Sequence, residues 1–211
     1  MRILFLTNNA NSEPLIQWLR NDAKEEVLVS GAKATDEKIK EYNPDWMISY
    51  NYRYLIEDRI LNSFKNRVIN LHYSLLPWNR GAYSNLWSFL KDTPKGVTIH
   101  IIDAGIDTGD ILVQKEIQFD EEKETLFSSY ETLQDELQKL FILSWQKIKN
   151  FQVKAMPQSG EGSVYYVRDF ERIKSILDGK GWDIRICELK KRYKNYQVLM
   201  GNNRPKIDEH C

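Results

Sequence analysis

The sequence predicts an α/β protein with a Rossmann-like, mostly parallel sheet, helices on both faces of that sheet, and a small C-terminal α+β appendage. Two observations support this fold class. Short β-rich runs alternate with amphipathic stretches through the first half of the chain, as they do in βα units. The chain has 211 residues, enough to bury a core without disulfide bonds. We therefore divide it into a main domain over residues 1–150 and an appendage over residues 151–211.

Five strands are predicted in the first half, where β-branched and other apolar residues cluster between polar stretches. They cover residues 2–6, 26–30, 46–50, 67–71 and 96–102. Ser12 and Thr35 lie between strands at positions suited to capping helices. This order of strands and helices indicates successive βα units.

The last part of the chain predicts helices and one short strand. Apolar side chains recur every three or four residues over 125–148, which indicates a long helix with one buried face. After a small, polar stretch at 158–162, a strand is predicted at 164–167 and a helix at 169–177. The end from Gly201 is polar and predicts a loose tail.

Charge and cysteine content restrict the class of partner. Thirty basic and thirty acidic side chains cancel, so no strong field favours nucleic acid or an anionic membrane. The apolar run at the start ends at Thr7, too early for a signal peptide or a membrane span. Cys187 and Cys211 are far apart, which fits a reducing cytoplasm and gives no zinc spacing. We expect a cytoplasmic protein with a small-molecule substrate and no metal.

The densest group of reactive side chains follows the fourth predicted strand. Asn70, His72 and Ser74 alternate there, so on a strand they point to one side, at the end where ligands bind in open α/β sheets. These groups suit the addition of an amine to a carbonyl. A histidine can accept the proton near neutral pH, and the NH2 group of Asn70 can stabilise a developing oxyanion. A carboxylate to orient the imidazole is expected from the Asp/Gly-rich loop at residues 102–110.

These residues together resemble the signature of the folate-dependent formyltransferases. Residues 70–77 match Asn-x-His-x-Ser-x-Leu-Pro, and residues 107–109 match the Asp-Thr-Gly loop that follows some thirty residues later in that family. The resemblance covers roughly residues 1–150. It implies a catalytic triad of Asn70, His72 and Asp107.

The resemblance also implies a site for 10-formyltetrahydrofolate, the formyl donor. The segment at residues 52–56, the end of the fourth strand and the loop at residues 103–106 would contribute to it. The implied contacts are Arg53, Tyr54, Leu55, Ile56, Ser74, Leu75, Asp103, Ala104, Gly105 and Ile106.

Within that family, the chain looks most similar to the sugar N-formyltransferases, and closest to the pseudaminic-acid-type amino-sugar enzymes. Methionyl-tRNA enzymes carry an extra C-terminal domain and a basic surface. Glycinamide ribonucleotide enzymes place a glycine-rich phosphate loop after the first strand, where residues 7–11 of this chain contain no glycine. The implied substrate is a nucleotide-linked amino sugar, with Trp78 suited to stacking on a pyranose and Arg80 to binding a diphosphate. The implied substrate contacts are Asn8, Asn9, Trp78, Asn79, Arg80 and Tyr83.

Other interpretations stay open. One is formylation of an aminoacyl group on a carrier protein, as in linear-gramicidin-type synthetases. Another is a non-enzymatic regulator that binds folate or nucleotide on the same fold. The aromatic-rich C-terminal third could form a homodimer interface or a nucleotide platform. His100 is expected to be a packed, hydrogen-bonded structural histidine, and His210 to be inert in the tail.

Overall fold

A six-stranded sheet forms the centre of the protein in the computed structural model, which describes residues 1–202. The predictions for the tail, including those for Pro205, His210 and Cys211, lie outside the described residues. The strands are β1 (Arg2–Leu6), β2 (Glu26–Ser30), β3 (Trp46–Tyr50), β4 (Val68–His72), β5 (Arg80–Gly81), β6 (Gly96–Ile101), β7 (Ile111–Glu116) and β8 (Val164–Tyr165). The helices are α1 (Glu13–Asn21), α2 (Asp36–Tyr42), α3 (Asp58–Phe64), α4 (Ser84–Leu90), α5 (Leu126–Lys149), α6 (Val167–Ile173) and α7 (Ile186–Asn202).

The strand order confirms the predicted mostly parallel α/β fold. The central sheet runs β2-β1-β3-β4-β6-β7, and its first four strands pair in parallel. Strands β6 and β7 are antiparallel to their neighbours. The five predicted strands are present to within one residue at each end. The sequence analysis missed β7, because its second half is charged and exposed and its apolar run is short.

The structure confirms one of the two predicted helix caps. The side chain of Thr35 accepts a hydrogen bond from the backbone of Lys38 and caps α2. Ser12 stands at the N-cap of α1, but its side chain makes no capping bond. Its buried hydroxyl instead lies 2.8 Å from that of Thr7, so the predicted role of Ser12 is corrected. The long predicted helix is α5, which begins at a capping box formed by Thr125 and Ser128.

Helices cover both faces of the sheet. On one face, α5 packs beside α1 through fully buried side chains that include Phe141 and Trp145. On the other face, α2 and α3 bury Ile39, Ile60 and Phe64 against the strands. Each fully buried large apolar side chain contributes about 1.5–3 kcal/mol by leaving water. These two layers fix the position of β4 and of the loop that leaves it.

The C-terminal third packs on α4 through a separate apolar cluster. Phe170 and Ile173 of α6 and Leu189 of α7 are buried there with Leu86 and Phe89. The sequence analysis did not predict α7. The division at residue 150 stays a prediction. No helix within residues 1–202 is long and apolar enough to cross a membrane.

Candidate active site

A cleft of about 1000 Å³ opens beside the ends of β3 and β4. Its volume lies at the upper end of the range for small-molecule sites, about 300–1,000 Å³. The lining comes from four stretches of the first half, from the start of α5 and from part of the C-terminal third. It includes residues 51–58, 70–73, 81–86 and 102–107, together with Ser49, His100, Leu126, Phe127, Tyr130, Tyr165, Tyr166, Val167 and Trp182.

Asn70, His72 and Asp107, the three predicted catalytic side chains, meet in this cleft. Asn70 and His72 share a face of β4 because side chains alternate along a strand. Asp107 comes from the loop after β6, and its Oδ2 lies 3.5 Å from His72 Nδ1. Its other oxygen, Oδ1, accepts a hydrogen bond from Asn70 Nδ2 at 3.2 Å. The backbone N–H of Gly81 donates to Oδ2 at 2.8 Å and fixes the carboxylate.

The surroundings of His72 define its charge. Nε2 lies 3.2 Å from the backbone oxygen of Asn79. Its Nδ1 lies 3.5 Å from Asp107 Oδ2, so both ring nitrogens face groups that only accept hydrogen bonds. Burial lowers the pKa of His72 and outweighs the neighbouring Asp107, which raises it. The imidazole is therefore neutral near pH 7.

Asp107 is ionised despite being largely buried. Burial by itself would raise the pKa of this carboxyl. The neighbouring imidazoles of His72 and His100, together with the backbone N–H of Gly81, outweigh that effect and hold the pKa of Asp107 well below its usual range. The site thus holds a fixed negative charge beside a neutral base.

His100 contacts the same group of residues. It is buried and hydrogen-bonded, as predicted for a structural histidine, with Nδ1 donating to the backbone oxygen of Ile101 at 2.8 Å. Its Nε2 lies 3.3 Å from Asn70 Nδ2 and 3.4 Å from Asp107 Oδ1. The sequence analysis missed these contacts because they depend on the antiparallel pairing that sets His100 opposite Asn70.

The NH2 group of Asn70 makes more hydrogen-bond contacts in the structure than the sequence indicated. Both hydrogens of its NH2 group face acceptors, one on Asp107 and one on His100. The predicted free oxyanion donor is therefore not free in this structure. Both contacts are long, at 3.2 and 3.3 Å, so either is weaker than an ordinary N–H···O bond.

Most of the predicted folate contacts line the cleft, but Ser74 and Leu75 do not. Strand β4 ends at His72, so the alternation that placed Ser74 beside Asn70 and His72 stops before it. Ser74 is 1% exposed and faces the interior. Folate contact at these two positions stays a prediction, although the structure places both outside the lining. The contacts that do line the cleft are Arg53, Tyr54, Leu55, Ile56, Asp103, Ala104, Gly105 and Ile106.

Among the predicted substrate contacts at residues 78–83, Tyr83 alone lines the cleft. Asn79 is fully buried, and its side chain donates to the hydroxyl of Thr93 at 2.7 Å. Arg80 donates from Nε and Nη2 to Gln158 Oε1. Trp78 is partly buried outside the lining. These three side chains lie outside the lining of the cleft, and two of them hold neighbouring loops, so substrate contact at Trp78, Asn79 and Arg80 stays a prediction.

The predicted contacts after β1 are also structural in this conformation. Asn8 accepts from the backbone N–H of Arg53 at 3.1 Å and donates to the backbone oxygen of Gly31 at 2.7 Å. Asn9 caps the short turn that follows it. Neither lines the cleft, and substrate contact at these two exposed positions stays a prediction. Asn8 acts on the site indirectly, by holding the segment that carries Arg53.

Gln158 is a residue that the sequence analysis did not single out. Its Nε2 donates to the backbone oxygens of Asp107 and Gly109, each at 2.8 Å. Its Oε1 accepts from Arg80, as described above. Gln158 thus ties the loop that carries Asp107 to the segment after β4. No signal in a single sequence identifies such a contact, because it joins residues about fifty positions apart.

Within residues 1–202, no group of three or more His, Cys, Asp or Glu side chains is placed to hold a metal ion. The absence of a resident metal stays a prediction of the sequence analysis.

A family model described as formyl transferase matches residues 6–144 of the chain. Among solved structures, the chain is similar to the formyltransferase PseJ from Anoxybacillus kamchatkensis, crystallised with UDP-4,6-dideoxy-4-formamido-L-AltNAc and tetrahydrofolate. The two are 41% identical with a TM-score of 0.83, and the match covers 91% of this chain and 100% of that chain.

Curated relatives are similar over shorter segments. GDP-perosamine N-formyltransferase of Brucella melitensis is 39% identical over 109 residues, which cover 49% of this chain and 42% of the relative. Methionyl-tRNA formyltransferase of Thermodesulfovibrio yellowstonii is 38% identical over 129 residues, which cover 59% of this chain and 40% of the relative. The chain thus spans less than half the length of these curated relatives.

Proposed function

Since the chain belongs to the formyl transferase family, we propose that it transfers a formyl group from 10-formyltetrahydrofolate to the amino group of a nucleotide-linked amino sugar. The observation that carries this proposal is the meeting of Asn70, His72 and Asp107 in one cleft. The similarity to PseJ, whose crystal structure contains tetrahydrofolate and a UDP-linked formamido sugar, supports both donor and acceptor.

The two segments predicted to hold the donor fit the chemistry of a folate. Both line the cleft, and Leu55 keeps 77% of its surface exposed. An apolar side chain of this kind suits a flat heteroaromatic ring. The backbone N–H and C=O groups of residues 103–106 suit the polar edge of such a ring. When bound, the folate supplies the formyl group in an activated form.

His72 is the proton acceptor in this proposal. Its neutral imidazole takes the proton that the amine loses as a new C–N bond forms to the formyl carbon. The charge of Asp107, 3.5 Å from Nδ1, then stabilises the imidazolium. The proton passes on to the folate nitrogen whose bond to the formyl carbon breaks. Bonds and protons balance, so no further reactant is needed.

Asn70 stabilises the oxygen of the carbonyl under attack. Negative charge develops on that oxygen, and an amide hydrogen aimed at it lowers the barrier. The contact of Asn70 with His100, at 3.3 Å, is the weaker of its two, so we assign that hydrogen to the oxygen of the substrate. The contact with Asp107 then keeps the amide oriented.

A nucleotide-linked amino sugar is the acceptor that the comparisons favour. The match to PseJ covers that whole chain, whereas the match to the methionyl-tRNA enzyme covers 40% of it. The equal numbers of acidic and basic side chains do not provide the field that tRNA binding requires. A second relative, GDP-perosamine N-formyltransferase, also takes its name from a nucleotide-linked sugar.

The proposal is tested with a panel of amine acceptors and 10-formyltetrahydrofolate. The panel contains a UDP-linked 4-amino-4,6-dideoxy sugar, GDP-perosamine, glycinamide ribonucleotide and an aminoacylated carrier protein. Release of tetrahydrofolate gives the rate, and mass spectrometry identifies the product. We expect the highest kcat/KM for a nucleotide-linked amino sugar. A higher kcat/KM for the carrier protein, or no formylated product from any acceptor, would refute the proposal.

A further inference from the structure

Three aromatic rings stack on one wall of the cleft. Tyr83 and Phe170 have ring centroids 4.1 Å apart and planes 29° apart. Trp182 lies 6.0 Å from Tyr83 and 5.7 Å from Phe170, at angles of 12° and 17°. The three rings are therefore close to parallel. They come from distant parts of the sequence, and Phe170 belongs to the apolar cluster that also contains Leu86 and Phe89 of α4.

Two of these rings remain exposed. Tyr83 is 36% exposed and Trp182 is 43% exposed, and both line the cleft. Phe170 is buried beside them and supports both. Tyr83 has a φ of 58°, a left-handed conformation that is uncommon for a bulky residue. The mechanism described above involves neither ring, so it assigns no role to the exposed faces of Tyr83 and Trp182.

The wall lies within reach of the reaction centre. Gly81 donates its N–H to Asp107, and Tyr83 follows two residues later, so their Cα atoms are at most about 7 Å apart. A ligand whose amine sits at His72 can therefore extend along this wall. The predicted folate segments lie elsewhere in the lining, at residues 52–56 and 103–106.

We propose that Tyr83 and Trp182 form the stacking platform for the base of the acceptor nucleotide. This inference rests on the proposed function and assigns the part of the cleft that binds the nucleotide. Near-parallel exposed rings suit a flat, uncharged base, which every nucleotide offers as a π face. The side chains that line this wall carry no formal charge. Tyr166 also lines the cleft, and the guanidinium of Arg168, 4.8 Å from its ring, is the cation that we assign to the diphosphate.

The platform is tested by calorimetric titration of UDP into the wild-type protein and three variants. Trp182→Ala removes a stacking ring, and Trp182→Phe keeps one. Phe151→Ala removes an exposed ring outside the cleft and serves as the matched control. We expect Trp182→Ala to raise the Kd of UDP about five- to 100-fold, the range for losing one base–aromatic stack. The other two variants, and the Kd of tetrahydrofolate in all of them, should stay near wild type.

A second measurement uses variants with conservative ring changes, in case Trp182→Ala does not fold. UDP should quench tryptophan fluorescence in the wild type and in Trp18→Phe, whose ring packs on Phe141 outside the cleft. The quenching should be lost in Trp182→Phe.

Three results would overturn the platform. They are an unchanged Kd of UDP in a folded Trp182→Ala, quenching that persists in Trp182→Phe, and a rise in the Kd of tetrahydrofolate rather than of UDP. The last result would assign the wall to the donor. None of these measurements requires turnover, so failure of the platform is distinguishable from failure of the proposed function.

Discussion

At the scale of single residues, the basicity of His72 reflects two opposing effects. Burial disfavours the charged imidazolium, while the ionised Asp107 favours it, and burial is the larger effect on the pKa of His72. A base with a lowered pKa is unprotonated over most of the physiological pH range and so available to the amine. Its Nε2 faces the backbone oxygen of Asn79 at 3.2 Å, and its Nδ1 faces the carboxylate of Asp107 at 3.5 Å.

We predict that His72→Ala and His72→Asn lower kcat/KM by about two to four orders of magnitude, the usual effect of losing a general base.

In the wild type, kcat/KM should fall at acid pH as His72 becomes protonated. Because its pKa is below the usual 6.5, this fall should lie below that pH. Steady-state kinetics from mildly alkaline to acid pH, with circular dichroism to verify folding, test both points. A variant that keeps more than about a tenth of wild-type kcat/KM contradicts this role.

Asp107 and Asp103 provide a matched pair of carboxylates in one loop. Asp107 accepts from Asn70 with one oxygen and from Gly81 with the other, so an asparagine cannot replace both bonds. Asp103 accepts from the backbone N–H of Gly105 and the hydroxyl of Thr108 with the same oxygen, which an asparagine can supply. An asparagine can therefore keep the hydrogen bonds of Asp103 but not both of those made by Asp107.

We predict that Asp107→Asn lowers kcat by about a hundredfold or more, while the Kd of the folate changes little. Removing the charge should also lower the pKa of His72 further, which moves the acid limb of the rate profile to lower pH. Asp103→Asn should lose less than about tenfold in kcat, because its hydrogen bonds survive. If Asp103→Asn has the lower kcat under identical conditions, the carboxylate has been assigned wrongly.

At the scale of elements, the loop after β6 is held by residues from other parts of the chain. Gly109 approaches the backbone so closely that a Cβ there would lie 1.9 Å from the oxygen of Ile101. Gln158 bonds the backbone oxygens of Asp107 and Gly109 and also binds Arg80. The position of the catalytic carboxylate therefore depends on a residue that does not line the cleft.

We predict that Gln158→Ala lowers kcat roughly ten- to a hundredfold, because a displacement of about 1 Å at a reacting group has an effect of that order. The KM for the folate should change less than kcat. Gln118→Ala, which removes an exposed glutamine paired with Glu116, is the control and should behave as wild type. Equal kcat values for the two variants would show that the loop does not need Gln158.

The sequence predicted the elements whose pattern is local. The first five strands of the sheet and α5 follow from apolar runs and from a period of three to four residues. The position of Asn70 and His72 on one face of β4 follows from the alternation of side chains along a strand. What depends on distant contacts was not predictable. Ser74 left the shared face because the strand ended, and Gln158 has no local signal at all.

At the scale of the whole molecule, the sheet and α5 are joined by a buried ion pair. Glu25 is 6% exposed and accepts from the ammonium of Lys149 at 2.5 Å, the N-terminal ammonium of Met1 at 2.7 Å and the indole N–H of Trp145 at 3.2 Å. Burial would raise the pKa of Glu25, but these hydrogen bonds outweigh it and lower the pKa below its usual 4.5. Removing Lys149 would leave the buried charge with one cation instead of two.

We predict that Lys149→Met lowers the free energy of unfolding by about 2 kcal/mol at pH 7, because one hydrogen bond to the carboxylate is lost while the ammonium of Met1 still pairs with it. The folded-state pKa of Glu25 is below its unfolded value, so the ionised carboxylate stabilises the fold above about pH 4.5 and this contribution is lost as pH falls through the lower pKa. The difference between variant and wild type should therefore narrow at acid pH. Urea unfolding at several pH values measures it, with exposed Lys147→Met as the control. A difference that is constant from pH 7 to pH 3 contradicts this account.

Residues on both sides of position 150 line the cleft. One wall comes from the segments after β3 and β6, and another combines Tyr83 with residues beyond position 160. Residues after position 150 therefore contribute both to the loop of Asp107 and to the lining. The division at that position and a homodimer remain predictions.

The most direct test of the account is to follow the formyl carbon itself. The protein is mixed with 10-formyltetrahydrofolate labelled with carbon-13 in the formyl group and with a UDP-linked 4-amino-4,6-dideoxy sugar, and the products are analysed by NMR. We predict a labelled formamide on the sugar, one tetrahydrofolate released for each formamide formed, and loss of both in folded His72→Asn. Label that stays on the folate, or that reaches the sugar equally fast with His72→Asn, would contradict the account.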